Sequence, residues 1–281
     1  MQTVVDRIVD DGAELTPAER RVGQVILDDP EIVAFGTVAE LARRAETSGA
    51  TVVRFAGRIG YEGFVGLQAA VQEELALRLR PATERIRQRA PSDVAGRTLA
   101  VELKNLQATL GRVDRVELDA AVALLARRRS PVYVLSGQAF LGTATTLARE
   151  LGMLRPSVEL VNGTPVAVAA MLAHVAPDDA VVAVDLRRYD RWVLDSVVRV
   201  RAAGARVVAV TDSRLSPLAE GADVAFAVAA DGAGPFDSQV GVLALANALV
   251  NGVAARLRTS ATERLDRIEA AWRAADALTD R

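Results

Sequence analysis

Four arginines, Arg43, Arg44, Arg54 and Arg58, lie within a stretch whose only acid is Glu46. Planar guanidinium groups grip phosphate oxygens and guanine edges through paired donors, so this local positive excess suits a polyanion. A second concentration of chemistry is the segment Asp185-Leu-Arg-Arg-Tyr-Asp190, with two cations, a phenol and two acids close together. Arg187 and Arg188 suit an anion, Tyr189 a stacked ring or a hydroxyl contact, whereas Asp185 beside a phosphate is repulsive by roughly several kcal/mol unless compensated. Each of these residues also has an ordinary use, as a solvated face, an inter-subunit ion pair or a helix cap. Cysteine is absent and His174 is the lone histidine, which excludes disulfides and thiolate metal sites and leaves no metal site or cofactor expected.

The arginines are positioned by two short helices. Thr37 caps the first, whose Val38, Leu41 and Ala42 form one apolar stripe, and Ala45 to Thr47 supply a corner. Ser48 caps the second, where Val52, Phe55 and Ile59 face inward while Thr51, Arg54 and Arg58 share the opposite side. Its first turn, Ser48-Gly-Ala-Thr51, is small enough for close approach to base edges. This is helix-turn-helix spacing, with the second helix in a major groove; two helices of an ordinary bundle would show the same spacing. On the first reading Thr51, Arg54 and Arg58 touch bases or phosphates, Ser48 sits at the cap, and Arg43 or Arg44 meets the DNA backbone. Charge argues the other way: residues 1 to 80 hold 9 arginines and 13 acids, in a chain of net charge −2. DNA binding then requires the arginines to share one side and Asp10, Asp11, Asp28 and Asp29 to sit elsewhere, since screening confines a charge to roughly 8 Å.

Around this pair the chain alternates clear helix signals with turns. Residues 3 to 11 make a short helix with Val4, Val5, Ile8 and Val9 inward, closed by Gly12. Thr16-Pro-Ala-Glu19 is a capping box with proline at the first helical position; the helix buries Val22, Val25 and Ile26 and stops at Asp28-Asp-Pro30. Gly60, Gly63 and Gly66 form a turn before a helix with Phe64, Leu67, Val71 and Leu75, ending at Pro81. Residues 81 to 91 are arginine-rich and poor in apolar side chains, so the domain boundary falls there. Helical patterns follow over 93 to 112 (Val94, Leu99, Leu103, Leu106, Leu110) and 118 to 128 (Ala121, Leu124, Leu125 buried).

From Pro131 the pattern changes to continuous apolar runs at 132–135, 158–161, 180–184, 207–210 and 224–228, separated by helical stretches. Runs covered on both faces and alternating with helices predict a doubly wound, five-stranded parallel sheet. Ligands of such sheets sit beyond the carboxyl ends of the strands. The loops there are Ser136-Gly-Gln-Ala-Phe-Leu-Gly142, Asp185-Leu-Arg-Arg-Tyr-Asp190 and Thr211-Asp-Ser-Arg-Leu-Ser216. Candidate ligand residues are therefore Ser136, Gly137, Gln138, Asp185, Arg187, Arg188, Tyr189, Thr211, Asp212 and Ser216. A long apolar helix over 239 to 258 and an amphipathic one over 260 to 278, with Leu265, Ile268 and Trp272 on one face, complete the chain.

Leu-Thr-Pro-Ala-Glu-Arg-Arg-Val at 15 to 22, Val-Ala-Glu-Leu-Ala at 38 to 42, Ser48-x-x-Thr51-Val-Val-Arg-Phe-Ala and Gly60-Tyr-x-Gly-Phe64 together resemble the amino-terminal domain of RpiR-type bacterial transcriptional regulators. The resemblance implies a following sugar isomerase (SIS) domain that senses a phosphosugar, and Thr-Asp-Ser-x-x-Ser-Pro-Leu-Ala at 211 to 219 is similar to that domain's pattern. Two loops depart from it: Phe140 stands where the family has a serine, and Asp185 stands where Ser-x-Ser-Gly-x-Thr would begin.

The expected organisation is a helical helix-turn-helix domain over 1 to 80, a linker and connecting helix over 81 to 115, a SIS-like α/β effector and dimerisation domain over 116 to 260, and a C-terminal amphipathic helix over 261 to 281. The expected function is a cytoplasmic, DNA-binding transcriptional regulator, a homodimer or tetramer on double-stranded operator DNA, responsive to a small-molecule effector that is a phosphosugar or other carbohydrate derivative. No secretory signal or membrane-spanning run is read from the sequence. The alternatives are a phosphosugar isomerase-like enzyme, for which no acid–base pair is evident, and a metabolite-binding module that never touches DNA.

Overall fold

The computed structural model describes residues 4, 7–8, 15–78, 82–87, 93–214 and 216–279. The expected placements of Val5, Val9, Asp10, Asp11 and Gly12 and the stop at Pro81 fall outside these residues, as do the side chains of Asp28 and Leu75. The chain divides into two compact units, Met1–Pro81 and Ala82–Arg281.

The first unit is helical. Helix α1 (Pro17–Asp28) begins as the capping box requires: the Glu19 amide donates to the Thr16 hydroxyl and the Thr16 amide donates to the Glu19 carboxylate at 2.9 Å. A five-residue helix α2 (Glu31–Phe35), not foreseen from periodicity, buries Ile32, Val33 and Ala34. Helices α3 (Val38–Arg44) and α4 (Gly49–Arg58) are the expected pair, and α5 (Gly63–Arg78) closes the unit. Gly60 and Gly63 hold positive φ and form the turn; Gly66 lies inside α5. One apolar cluster joins Val22, Ile26, Leu41, Val52, Phe55, Ile59, Leu67 and Val71 with Val4 and Ile8.

The second unit opens with a single turn α6 (Ala82–Arg85), then α7 (Val94–Leu110) and α8 (Arg115–Leu125). Strands β1 (Val132–Ser136), β2 (Val158–Val161), β3 (Ala180–Val184), β4 (Arg206–Thr211) and β5 (Val224–Ala227) form one parallel sheet in the order β2-β1-β3-β4-β5. Between them run α9 (Leu141–Leu154), α10 (Pro165–Leu172) and α11 (Arg191–Ala202); α12 (Val240–Arg256) and α13 (Arg258–Ala274) follow, bent by 103° at their junction. No single helix among the described residues is long and apolar enough to cross a membrane. The sheet separates two cores. Helices α8, α9 and α12 cover Val132, Val134, Val182 and Val208, while α10 and α11 cover Leu135, Val181, Ala183 and Val207.

Helix α7 departs from its apolar pattern. Val94, Leu99, Leu103 and Leu110 stay exposed, and the buried positions are Asn105 and Thr109. Polar side chains are tolerated there because each is consumed by the loop after β5: Asn105 exchanges two hydrogen bonds with the Asp231 backbone, and the Thr109 hydroxyl accepts from the Ala229 amide.

Arg155, at the end of α9, is 1% exposed. Burial depresses its pKa, and its guanidinium donates to the carbonyls of Leu125, Ser130 and Pro156. It thereby satisfies the carboxyl end of α8 and the approach to β1 at once. Arg155→Leu should lower the unfolding free energy by about 2–4 kcal/mol by orphaning those carbonyls. Urea titration at unchanged m-value is the measurement; a loss under about 1 kcal/mol would show that water replaces the guanidinium.

Candidate functional sites

In the first unit, the Thr51 amide donates to the Ser48 hydroxyl at 3.2 Å, which starts α4 as the sequence predicts. The corner needs a left-handed residue, supplied by Glu46 at φ 47°, and Arg21 clamps it by donating to the carbonyls of Ala45 and Glu46. With Val52, Phe55 and Ile59 buried, α4 turns Ala50, Val53, Arg54, Gly57 and Arg58 outward. Ser48, Arg43 and Arg44 are also exposed.

Thr51 is a correction. It is buried, and its hydroxyl lies 3.0 Å from that of Ser48 and accepts from Arg54 at 3.4 Å, so it belongs to the cap and not to the outer face. Two arginines are also engaged: Arg44 pairs with Asp29, and Arg58 pairs with Glu19 at 3.4 Å. Asp29 therefore does not sit away from the arginines, as the charge argument had required. Glu19 is buried, which pushes its carboxyl pKa up, but hydrogen bonds from Thr16 and the charges of Arg58 and Arg54 outweigh burial and bring it below the usual value. The exposed Val53 and Gly57 were missed from the sequence, although their i+3 and i+7 spacing from Ala50 marks the same face.

In the second unit, strand order reverses between β1 and β3, and the loops leaving these neighbours face one another at the crevice where such sheets hold ligands. Asp185 follows β3 and is 3% exposed. Its carboxylate accepts the amides of Leu186 at 3.0 Å and Asp190 at 2.7 Å, and it fills the space beside Gly137, where any Cβ would lie 2.3 Å from Oδ1. Asp190, at the start of α11, accepts the Gln138 amide at 2.8 Å. Asp212 accepts the Arg187 amide at 3.1 Å and the Tyr189 hydroxyl at 2.5 Å. Burial, then the Asp212 charge, raises the pKa of Tyr189 well above that of a free phenol. Thr211 and Ser216 join hydroxyl to hydroxyl at 3.0 Å, Ser216 accepts the Ala219 amide, and Thr211 donates to Asp212 at 3.3 Å.

Arg187 has a left-handed backbone at φ 58°, and its side chain is 7% exposed between Asp231 at 2.8 Å and Asp237 at 2.9 Å. Asp237 also holds Arg85 at 2.6 Å. Arg188 and Gln138 are exposed, Phe140 is buried in the core under the sheet, and the Ser136 hydroxyl is buried with no hydrogen-bond partner among the described residues. The structure thus gathers Gly137, Gln138, Asp185, Arg187, Tyr189, Thr211, Asp212 and Ser216 into one network. Asp190, Asp231 and Asp237 were not foreseen as members. The last two lie after β5, a strand-end loop that the crevice rule should have included. Among the described residues no group of histidines and acids is arranged to hold a metal ion.

Residues 2–78 match the helix-turn-helix domain of the rpiR family and residues 124–252 match the SIS domain. The chain thus joins a helix-turn-helix domain of the rpiR family to a SIS domain. Among its relatives, the HTH-type transcriptional regulator HexR of Pseudomonas aeruginosa is 25% identical over 96% of this chain and 95% of its own. The sugar isomerase domain of an RpiR transcription factor from Sphaerobacter thermophilus is 27% identical, covers 62% of this chain and 97% of its own, and superposes with a TM-score of 0.58. The Vibrio vulnificus NanR protein, solved with ManNAc-6P, shares the fold at 22% identity over 95% of this chain and 97% of its own, TM-score 0.56. The protein is a DNA-binding transcriptional regulator with a SIS domain.

Burial raises the Asp185 pKa to about 6, with Asp190 and Asp212 adding to the rise and the two amides opposing it. The folded value lies above the unfolded one, so the protonated carboxyl is the native state's preference. Stability is greatest below pH ~4 on this account and falls as pH rises through ~6, by up to about 3 kcal/mol for a shift of two units. Urea titrations between pH 4 and 7 should show this slope reduced in Asp185→Asn. A variant with the wild-type slope would assign it to other groups.

Proposed function

We propose that α4 reads an operator through its outward face, with Arg54 on a base edge, Arg58 on a base or phosphate, Ser48 at the cap, and Arg43 and Arg44 on the DNA backbone. The observation that carries this is the exposure of Ala50, Val53, Arg54, Gly57 and Arg58 along one side of a capped helix. Small residues at 49, 50 and 57 permit close approach, and Val53 offers an apolar contact for a thymine methyl group. Arg44 and Arg58 would exchange Asp29 and Glu19 for DNA phosphates; both guanidinium groups are exposed, and Glu19 keeps its hydrogen bonds from Thr16 when Arg58 leaves.

The SIS domain, on this reading, binds a small carbohydrate-derived effector at the loops after β1, β3 and β4, and dimerises so that two copies of α4 meet half-sites about 34–36 Å apart on a pseudo-palindrome. The protein would act in the cytoplasm, as a dimer or as a pair of dimers. An isomerase is disfavoured by the same network. Asp185 has a pKa near that of a general base, but it is walled in and both its oxygens are already hydrogen-bonded.

The test is a gel-shift titration on an operator selected from a random pool. Arg54→Ala should lose about 1–3 kcal/mol of affinity, or roughly 5- to 150-fold, on the selected site and little on random DNA. Equal affinity of wild type and variant would remove Arg54 from the interface. Affinity for random DNA should fall linearly with salt on logarithmic axes; no measurable affinity at low salt would favour a metabolite-binding module without DNA contacts.

A further inference from the structure

Four backbone amides of the crevice loops, one phenol and one guanidinium are already given to carboxylates of the chain itself. The amides of Leu186 and Asp190 go to Asp185, that of Gln138 to Asp190, and that of Arg187 to Asp212. The Tyr189 hydroxyl goes to Asp212, and the Arg187 guanidinium is divided between Asp231 and Asp237. Phosphate held in loops of this kind depends on such free amides near a helix start. Here the crevice between β1 and β3 contains the Asp185 carboxylate, packed so tightly against Gly137 that no side-chain atom fits between them.

We propose that Asp185 and Asp190 are the specificity-determining residues of this site and exclude a phosphate ester from it, so that the effector is an unphosphorylated carbohydrate offering hydroxyl or amine donors. The inference rests on the preceding reading that these loops bind a carbohydrate. A phosphate that takes the amides of Leu186, Asp190, Gln138 or Arg187 must displace a carboxylate from them and then remain beside that same negative charge. A neutral or amine-bearing ligand has no such cost: it brings donors to a surface rich in carboxylate oxygens. The buried hydroxyl of Ser136, adjoining Gly137 at the end of β1, has no partner among the described residues and adds an uncharged polar group suited to a hydroxylated ligand. Arg188, exposed at the rim, pulls the other way, but a solvated guanidinium without backbone amides beside it holds an anion weakly.

The experiment is calorimetric titration of the full chain with glucose 6-phosphate, fructose 6-phosphate and inorganic phosphate, against glucose, glucosamine and myo-inositol. Wild type should bind none of the phosphate-bearing probes with a Kd below about 1 mM, and the double variant Asp185→Ser, Asp190→Asn should bind them at least about ten-fold more tightly than wild type. Sub-millimolar binding of a phosphosugar to wild type, competed by inorganic phosphate, overturns the proposal. So does a double variant with native circular dichroism that gains nothing for phosphate. Asp185→Asn alone, which keeps the shape of the side chain, serves if the double variant misfolds, with the same two outcomes. If the variant gains phosphate affinity while no probe of either kind binds wild type or alters its affinity for operator DNA, phosphate exclusion stands and the carbohydrate-sensing reading falls.

Discussion

The Asp185 carboxylate beside Gly137 is the constraint from which the crevice of the second unit follows. With no side chain at 137, β1 and β3 turn into their loops close enough for one carboxylate to receive two amides of its own loop. That occupation fixes the turn leading to Asp190, which fixes the amide of Gln138 across the crevice. It also leaves Arg187 to turn away from the amides, through a left-handed backbone, toward the loop after β5. A segment that reads as an anion site in one dimension is thus a self-satisfied polar network in three, and burial makes each satisfied pair costly to break singly.

The first unit rests on a comparable economy. The Glu19 side chain closes the capping box of α1 and also faces Arg58 on the outer side of α4. A helix start in one part of the unit therefore shares a charged group with the exposed side of α4 in another. Asp29 and Glu19 thus sit against Arg44 and Arg58, while Arg43 and Arg54 remain on the exposed side.

Much of this was legible in the sequence because the signals were local. Ser48, Thr37 and the Thr16–Glu19 box mark helix starts through bonds that span three residues; β1, β3 and β4 announced themselves as apolar runs covered on both faces, whereas the edge strands β2 and β5 are only partly covered. Burial was less legible. Thr51 was expected outside because it lies one turn before Arg54, yet its hydroxyl is drawn into the cap by Ser48. Asn105 and Thr109 occupy the inner face of α7 against its hydrophobic stripe, because the partners that satisfy them lie more than a hundred residues away. Asp231 and Asp237 escaped for the same reason: nothing near them in sequence indicates that Arg187 arrives from another strand end.

Asp237 serves two guanidinium groups, one from the crevice and one from the turn that immediately follows the helix-turn-helix unit in the chain. The two cations share a single negative charge, so neither can move without altering the electrostatic balance of the other. Any event at the crevice that shifts Arg187 leaves Asp237 more strongly committed to Arg85, and any strain on residues 82 to 85 is felt at Arg187. Within the second unit, its opening turn and its crevice are thus coupled electrostatically through one carboxylate held in common.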